Sequence, residues 1–221
     1  MPKRRDARVC GHSCHVLASR KRARIRERPV TSVVTGRNAE LIREVCRLYA
    51  PAGTTIADVT FGRGNFWPRP TPDYVTGSDL ITAPDGRAYD FRDLPYANGS
   101  FDIVVLDPPY IMDGQTTMAR ETYQTQLVAG LDDLLALYRA GMAEAHRVAR
   151  RQLWVKCQDQ VHSGVQHWVS GEVVLIAREM GLHFCDTFVL VQSGSTPSGR
   201  WSAQHHARKR HSFLMVFDVT G

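Results

Sequence analysis

Apolar side chains recur at helical spacing in some stretches of the chain and form short unbroken runs in others. Leu41, Ile42, Val45, Cys46, Leu48 and Tyr49 fall three and four residues apart, so 37–50 is expected to be a helix that Pro51 and Gly53 end. The apolar run at 55–61 meets Gly62 and Gly64, as a strand entering a glycine turn would. Residues 74–80 and 88–91 read as a second and a third strand, and FDIVVL at 101–106 suits a buried central strand. Leu127, Leu131, Leu134, Leu135, Tyr138, Met142 and Ala145 then predict a long helix over 123–150. Strands at 153–157, 184–191 and 213–219 and a helix that contains 171–180 complete the pattern.

Seven strands interleaved with helices predict an α/β fold: a Rossmann-like, doubly wound, mostly parallel seven-stranded sheet. The last two strands are joined only by the loop 193–211, so the final strand is expected to run antiparallel. One domain over 31–221 is expected, preceded by a basic arm over 1–30. No apolar run reaches the roughly 18 residues that a membrane span needs, and no secretory signal is visible, which points to a cytoplasmic protein.

Charge changes the picture because of where it sits. The formal net charge is +6, from 28 Lys and Arg against 22 Asp and Glu. Residues 1–28 hold ten of those basic residues with only Asp6 and Glu27, leaving 18 basic and 20 acidic side chains for the rest. A near-neutral domain thus carries a cationic arm, suited either to phosphate or simply to solvation. The five cysteines are scattered, so reduced thiols are expected. The cluster CGHSCH at 10–15 has zinc-type ligands but only one knuckle, and ordinary tail cysteines are the preferred reading, with no metal.

The sharpest chemical signal is Asp107-Pro108-Pro109-Tyr110, directly after the central strand. Ligands of open α/β sheets bind at the carboxyl ends of strands. A carboxylate there can accept from an amino group, two prolines fix the turn and leave their carbonyls as acceptors, and a tyrosine offers a stacking face. Upstream, Asp58-Val59-Thr60-Phe61-Gly62-Arg63-Gly64 ends the first strand with glycines that admit a ligand close to the backbone. Asp79 ends the second strand, where an acid suits ribose hydroxyls, and Asp90 with Phe91 closes the third.

These motifs resemble the class I S-adenosylmethionine-dependent methyltransferases that methylate exocyclic amino groups of nucleic-acid bases, over about residues 32–218. The runs VKCQDQVHSG and QHHARKRHSFLMVF further look like short bacterial and phage DNA methylases. The resemblance implies S-adenosyl-L-methionine as cofactor, with Asp58, Thr60, Phe61, Gly62 and Gly64 in the first cofactor motif. It implies Asp79 on the ribose, Asp90 and Phe91 on the adenine ring, and Asp107, Pro108, Pro109 and Tyr110 as the catalytic motif. Nucleic acid is the implied partner, DNA favoured over RNA, and N6 of adenine the leading target because Asp opens the motif. N4 of cytosine, and N2 of guanine or N6 of adenine in RNA, are the alternatives. Protein glutamine methylation is disfavoured because that pattern begins with Asn, and a non-catalytic nucleic-acid-binding protein is disfavoured by the intact cofactor residues.

Two features depart from the pattern. Pro68 and Pro70 leave no room for the usual helix after the glycines, and Phe66 and Trp67 in its place are expected to pack over the cofactor in preference to filling the space. No insertion is long enough for a separate recognition domain, so substrate contacts are expected from Lys156 and from Arg200, Trp201, Arg208, Lys209 and Arg210 in the late loop, a mixture of cations and an aromatic that suits phosphates and bases.

Overall fold

A computed structural model describes residues 28–109, 112, 128, 130–192, 205–207 and 209–219. Among them the order is β1 (Val33–Gly36), α1 (Asn38–Tyr49), β2 (Ile56–Asp58), β3 (Val75–Gly77), β4 (Phe101–Leu106), α2 (Leu131–Val148), β5 (Ala149–Cys157), β6 (Gln160–His162), β7 (Val165–His167), α3 (Val169–Glu179), β8 (His183–Gln192) and β9 (His211–Asp218). Seven of these strands form one sheet in the order β1-β8-β9-β5-β4-β2-β3, and β6 and β7 make a separate hairpin. Every neighbour in the sheet is parallel except β9, which runs antiparallel to both β5 and β8. This is the expected mostly parallel sheet with an antiparallel final strand.

Strand alternation builds the core on both faces. Ile103 and Val105 of β4 and Trp154 of β5 join Leu41, Ile42 and Val45 of α1 on one side. Val104 and Leu106, with Leu153, Val155 and Cys157, join Leu134, Tyr138, Met142 and Ala145 of α2 on the other, where α3 adds Val173 and Ile176. Period two in the strands thus meets helical spacing in the helices, and β4 and β5 are buried from both sides. The described residues contain no helix long and apolar enough to cross a membrane.

Three departures from expectation have local causes. Residues 88–91 form no strand; only an isolated bridge joins Asp90 and Asp93. The Asp90 carboxylate accepts the Arg92 N–H at 2.9 Å and the Asp90 carbonyl accepts the Asp93 N–H at 3.0 Å, so a turn consumes the groups that a ladder would need. The seventh strand is instead β1, paired with β8 at the opposite edge. Second, no helix follows β2, as the prolines indicated, but Phe66 and Trp67 lie in the core beneath α1, only 5% and 2% exposed. They fill the volume that a helix would have occupied, correcting the expectation that they lie over a cofactor; burying each contributes about 2–3 kcal/mol. Third, β6 and β7 form a hairpin where no strand was expected, closed by Ser163 at φ +49° and Gly164 at φ +77°; α3 then begins at Val169, where the buried Asp159 Oδ1 accepts the Ser170 N–H at 2.9 Å and satisfies an N-terminal donor.

Residues 30–220 form one unit. The basic arm over 1–27, with its CGHSCH cluster, lies outside the described residues, as does the expected helical stretch 123–127. Cys46, Cys157 and Cys185 form no disulfide.

Candidate active site

The strand order places a switch point in the sheet. From β2 the chain steps outward to β3, then crosses to lay β4 on the other side of β2. Ligands of open α/β sheets bind at such a switch point, outside the carboxyl ends of the strands. Asp58, the last residue of β2, is in register with Val105, so the turn after β2 and the turn after β4 lie side by side.

Hydrogen bonds join the two turns. The Asp107 N–H donates to Thr60 Oγ1 at 2.7 Å, and the Thr60 N–H donates to Asp58 Oδ1 at 3.1 Å. Asp58 Oδ2 accepts from Trp67 Nε1 at 2.7 Å. Burial pushes the Asp58 carboxyl up to about 7; the nearby Asp107 charge adds to the rise, and the bonds from Trp67 and Thr60 oppose it.

Asp107 faces a buried cation. Lys156 Nζ stands 3.4 Å from Asp107 Oδ2 and 5.7 Å from the centre of the Phe66 ring, and its side chain is 2% exposed. Removing an ammonium from water costs several kcal/mol, which the carboxylate and the aromatic face offset. Lys156 is thus turned inward on Asp107, where an open substrate contact was expected. The parity of β5 explains this: Leu153, Val155 and Cys157 take the α2 side, leaving Trp154 and Lys156 for the other. Asp107 Oδ1 is buried and has no hydrogen-bond partner among the described residues. Pro108 is buried and Pro109 half-buried, and neither has an N–H to satisfy. Tyr110 lies outside the described residues.

The glycine turn fits close approach of a ligand. Gly62 has φ +53° and nothing within 4 Å of where a Cβ would stand. Gly64 has φ +70°, and a Cβ there would lie 2.9 Å from the Phe61 ring. The same ring lies over Gly77 of β3, so Phe61 packs the loop onto the sheet and its side chain has a structural part. Asp79 braces that loop: Oδ2 accepts the Gly62 N–H at 3.1 Å, and Oδ1 accepts the N–H groups of Ile81 and Thr82 at 3.0 and 2.8 Å. A carboxylate has about four acceptor sites, so Oδ2 retains capacity for a hydroxyl.

The other expected residues that are described have partners of their own. Asp90 is engaged by the Arg92 guanidinium, Nη2 to Oδ2 at 2.5 Å, and this bond holds its carboxyl below the usual range. The Phe91 ring packs on α2, where a Cβ on Gly141 would lie 2.8 Å from it. Arg200, Trp201 and Arg208 lie outside the described residues. Lys209 Nζ is 5.0 Å from the centre of the Trp168 ring, and Arg210 Nη2 donates to the Gln192 carbonyl at 3.2 Å. Neither the Trp67 to Asp58 bond nor the Trp168 to Lys209 contact was expected from sequence. A tryptophan after GVQH at 164–167, just before a helix, was the one available sign of the second.

A cavity of about 280 Å³, lined by Ile42, Arg43, Cys46, Trp67 and Tyr74 among others, does not belong to this site. Ala50 and Tyr74 in its lining precede β2 and β3, which puts it toward the amino ends of those strands.

No family model matches the chain, and neither does any curated protein sequence. Solved structures are similar to it at low identity. An S-adenosylmethionine-dependent methyltransferase from Methanosarcina mazei is 10% identical over 79% of this chain and 96% of its own, with a TM-score of 0.47. The magnesium protoporphyrin IX methyltransferase of Synechocystis PCC 6803, solved with bound S-adenosylhomocysteine, is 14% identical over 80% and 78%, with a TM-score of 0.48. The cytosine-N4-specific PvuII DNA methyltransferase is 12% identical over 57% of this chain and 45% of its own, with a TM-score of 0.42. This chain therefore spans less than half the length of that DNA methyltransferase, and the likeness to all three is one of fold.

Proposed function

We propose that the chain methylates an exocyclic amino group of a nucleic-acid base, N6 of adenine in DNA before other targets, with S-adenosylmethionine as donor. The observation that carries this reading is Asp107 Oδ1: a buried, unpartnered carboxylate oxygen at the switch point of the sheet, on a turn pinned by Thr60 and Lys156. A buried acceptor without a donor calls for an explanation, and at the carboxyl end of β4 a ligand's amino group supplies one.

The glycine turn and the remaining capacity of Asp79 fit the cofactor, with Asp58 and Thr60 linking that turn to the catalytic one. When bound, S-adenosylmethionine supplies a methyl group made electrophilic by its sulfonium. The amino group of a base is a poor nucleophile because its lone pair is delocalised into the ring. Asp107 Oδ1 and the Pro108 carbonyl accept its two hydrogens, drive the nitrogen toward tetrahedral geometry and free that lone pair. The nitrogen sheds one proton as it gains the methyl group, and Asp107 is the group of this set able to take it. Catalysis is then positioning and electrostatics on a rigid turn. Tyr110 offers a face for a base taken out of its stack, which offsets the few kcal/mol of unstacking. Arg200, Trp201, Arg208, Lys209, Arg210 and the arm hold the strand.

The test is transfer of a labelled methyl group from S-adenosylmethionine to DNA and to RNA. Asp107→Ala should lower incorporation at least a hundredfold and leave cofactor affinity by calorimetry within about threefold. Asp79→Ala should weaken the cofactor by about 1–3 kcal/mol. Absence of cofactor binding by the wild type contradicts the proposal.

A further inference from the structure

The carboxyl edge of the sheet carries a second cluster beyond the Asp107 turn. Cys157 ends β5 one residue after Lys156, and the chain runs directly into the β6–β7 hairpin and Trp168. Because β9 is antiparallel, its first residue, His211, returns to the same edge, where Gln158 Nε2 donates to the His211 carbonyl at 3.0 Å. Residues before β9 close on the hairpin: His206 Nε2 lies 3.0 Å from the Gly164 carbonyl, and Lys209 Nζ sits over the Trp168 ring.

Trp168 is 62% exposed, an unusual state for the residue with most to gain from burial. It is the N-cap residue of α3 through its backbone alone: its carbonyl accepts the Glu172 N–H at 3.2 Å, its indole makes no cap bond, and Asp159 takes the Ser170 N–H. Segments 158–170 and 205–211 contain Asp159 as their one acid, itself 4% exposed, against Arg208, Lys209, Arg210 and the histidines at 162, 167, 205, 206 and 211. Glu172, one helical turn on in α3, is the acid nearest to Trp168 in sequence. An exposed indole under a cation is suited to a base with its phosphate.

Building on the nucleic-acid reading above, we propose that Trp168 and Lys209 form a platform for the substrate strand, a base stacking on Trp168 and an adjacent phosphate held by Lys209. It would hold a nucleotide flanking the target, because it lies on the sheet edge that carries Asp107 but shares no residue with that turn. The chemistry requires unpaired nucleotides, since a base inside a duplex has no free face to stack.

The test is binding of a labelled single-stranded oligonucleotide of about 20 nucleotides, by anisotropy, beside an abasic oligomer of equal length. Trp168→Ala should weaken the first about tenfold or more and the second by less than twofold, while Trp168→Phe restores most of the loss. Lys209→Ala should weaken both and reduce the slope of log affinity on log salt by about one. Affinity for S-adenosylhomocysteine should be unchanged in all three variants. Wild-type binding that Trp168→Ala leaves intact, or weakens equally on the abasic oligomer, overturns the platform and spares the proposed function. A wild type that binds cofactor but no nucleic acid overturns both; tighter binding to an acidic polypeptide than to either oligomer would identify a protein-docking surface and overturn the platform.

Discussion

Thr60 Oγ1 accepts the backbone N–H of Asp107 at 2.7 Å, so the turn that follows β2 fixes the position of the acid that follows β4. The two residues are 47 apart in the chain, and the bond joins the candidate cofactor loop to the candidate catalytic turn. Thr60 acts here as a positioning residue. Thr60→Ala leaves the Asp107 N–H without its acceptor, and stability should fall by about 1–2 kcal/mol. Turnover should fall tenfold or more through kcat with KM for cofactor little changed, and Thr60→Ser, which keeps the oxygen, should restore most of it. Equal losses in the Ser and Ala variants would contradict a role for the hydroxyl.

Lys156 provides a second constraint on Asp107. Lys156→Met keeps the volume and removes the charge, so the fold should persist, with a thermal midpoint within a few degrees of wild type. Methyl transfer should drop at least tenfold while calorimetric cofactor affinity stays within about threefold. A variant with normal turnover would show that the ion pair only solvates the lysine.

Asp58 makes stability depend on pH. Its folded value of about 7 lies above the ordinary 3.8, so the folded protein binds the proton more tightly than the unfolded chain. That contribution is fully present below the unfolded value and is lost as pH rises through about 7, amounting to roughly 4 kcal/mol at most. Urea midpoints of the wild type should decline from pH 5 to 8, and Asp58→Asn should flatten that decline. A wild-type midpoint that rises over this range contradicts the assignment.

Trp67 is a core residue whose indole donates to Asp58. Trp67→Phe keeps the packing but leaves Asp58 Oδ2 without its donor, which should destabilise the protein by about 1–3 kcal/mol in chemical denaturation. Trp67→Ala should cost about 3–5 kcal/mol. S-adenosylhomocysteine affinity should be unaffected in the Phe variant at a temperature where it is folded. A large loss of affinity without loss of stability would return Trp67 to the cofactor.

What the sequence made legible followed from periodicity. The doubly buried stretches of β4 and β5 are short apolar runs, 103–106 and 153–155, α1 and α2 show their buried stripes, and the antiparallel β9 follows from a connection without a helix. What escaped depended on choices between local and distant partners. Residues 88–91 have strand-like side chains, yet Asp90 turns its carboxylate onto Arg92 and closes a turn. β1 is four residues long and has no apolar run, and its place in the sheet comes from pairing with β8, a partner more than 150 residues away. Asp58 and Asp107 could be placed at strand ends from their motifs, but not the Thr60 bond that joins them. Lys156 looked exposed at a strand end; only the parity of β5 and the Phe66 face beside it show why a cation is buried there.

The central claim is that Asp107 activates an amino group of a nucleic-acid base, and nucleoside mass spectrometry tests it most directly. DNA and RNA from cells producing the wild type, Asp107→Ala, or no protein are digested and compared. The account predicts N6-methyladenine in DNA with the wild type alone; N4-methylcytosine or a methylated RNA base would keep the chemistry and change the target. No new methylated base in either nucleic acid, from a wild type shown to bind S-adenosylmethionine, would contradict it.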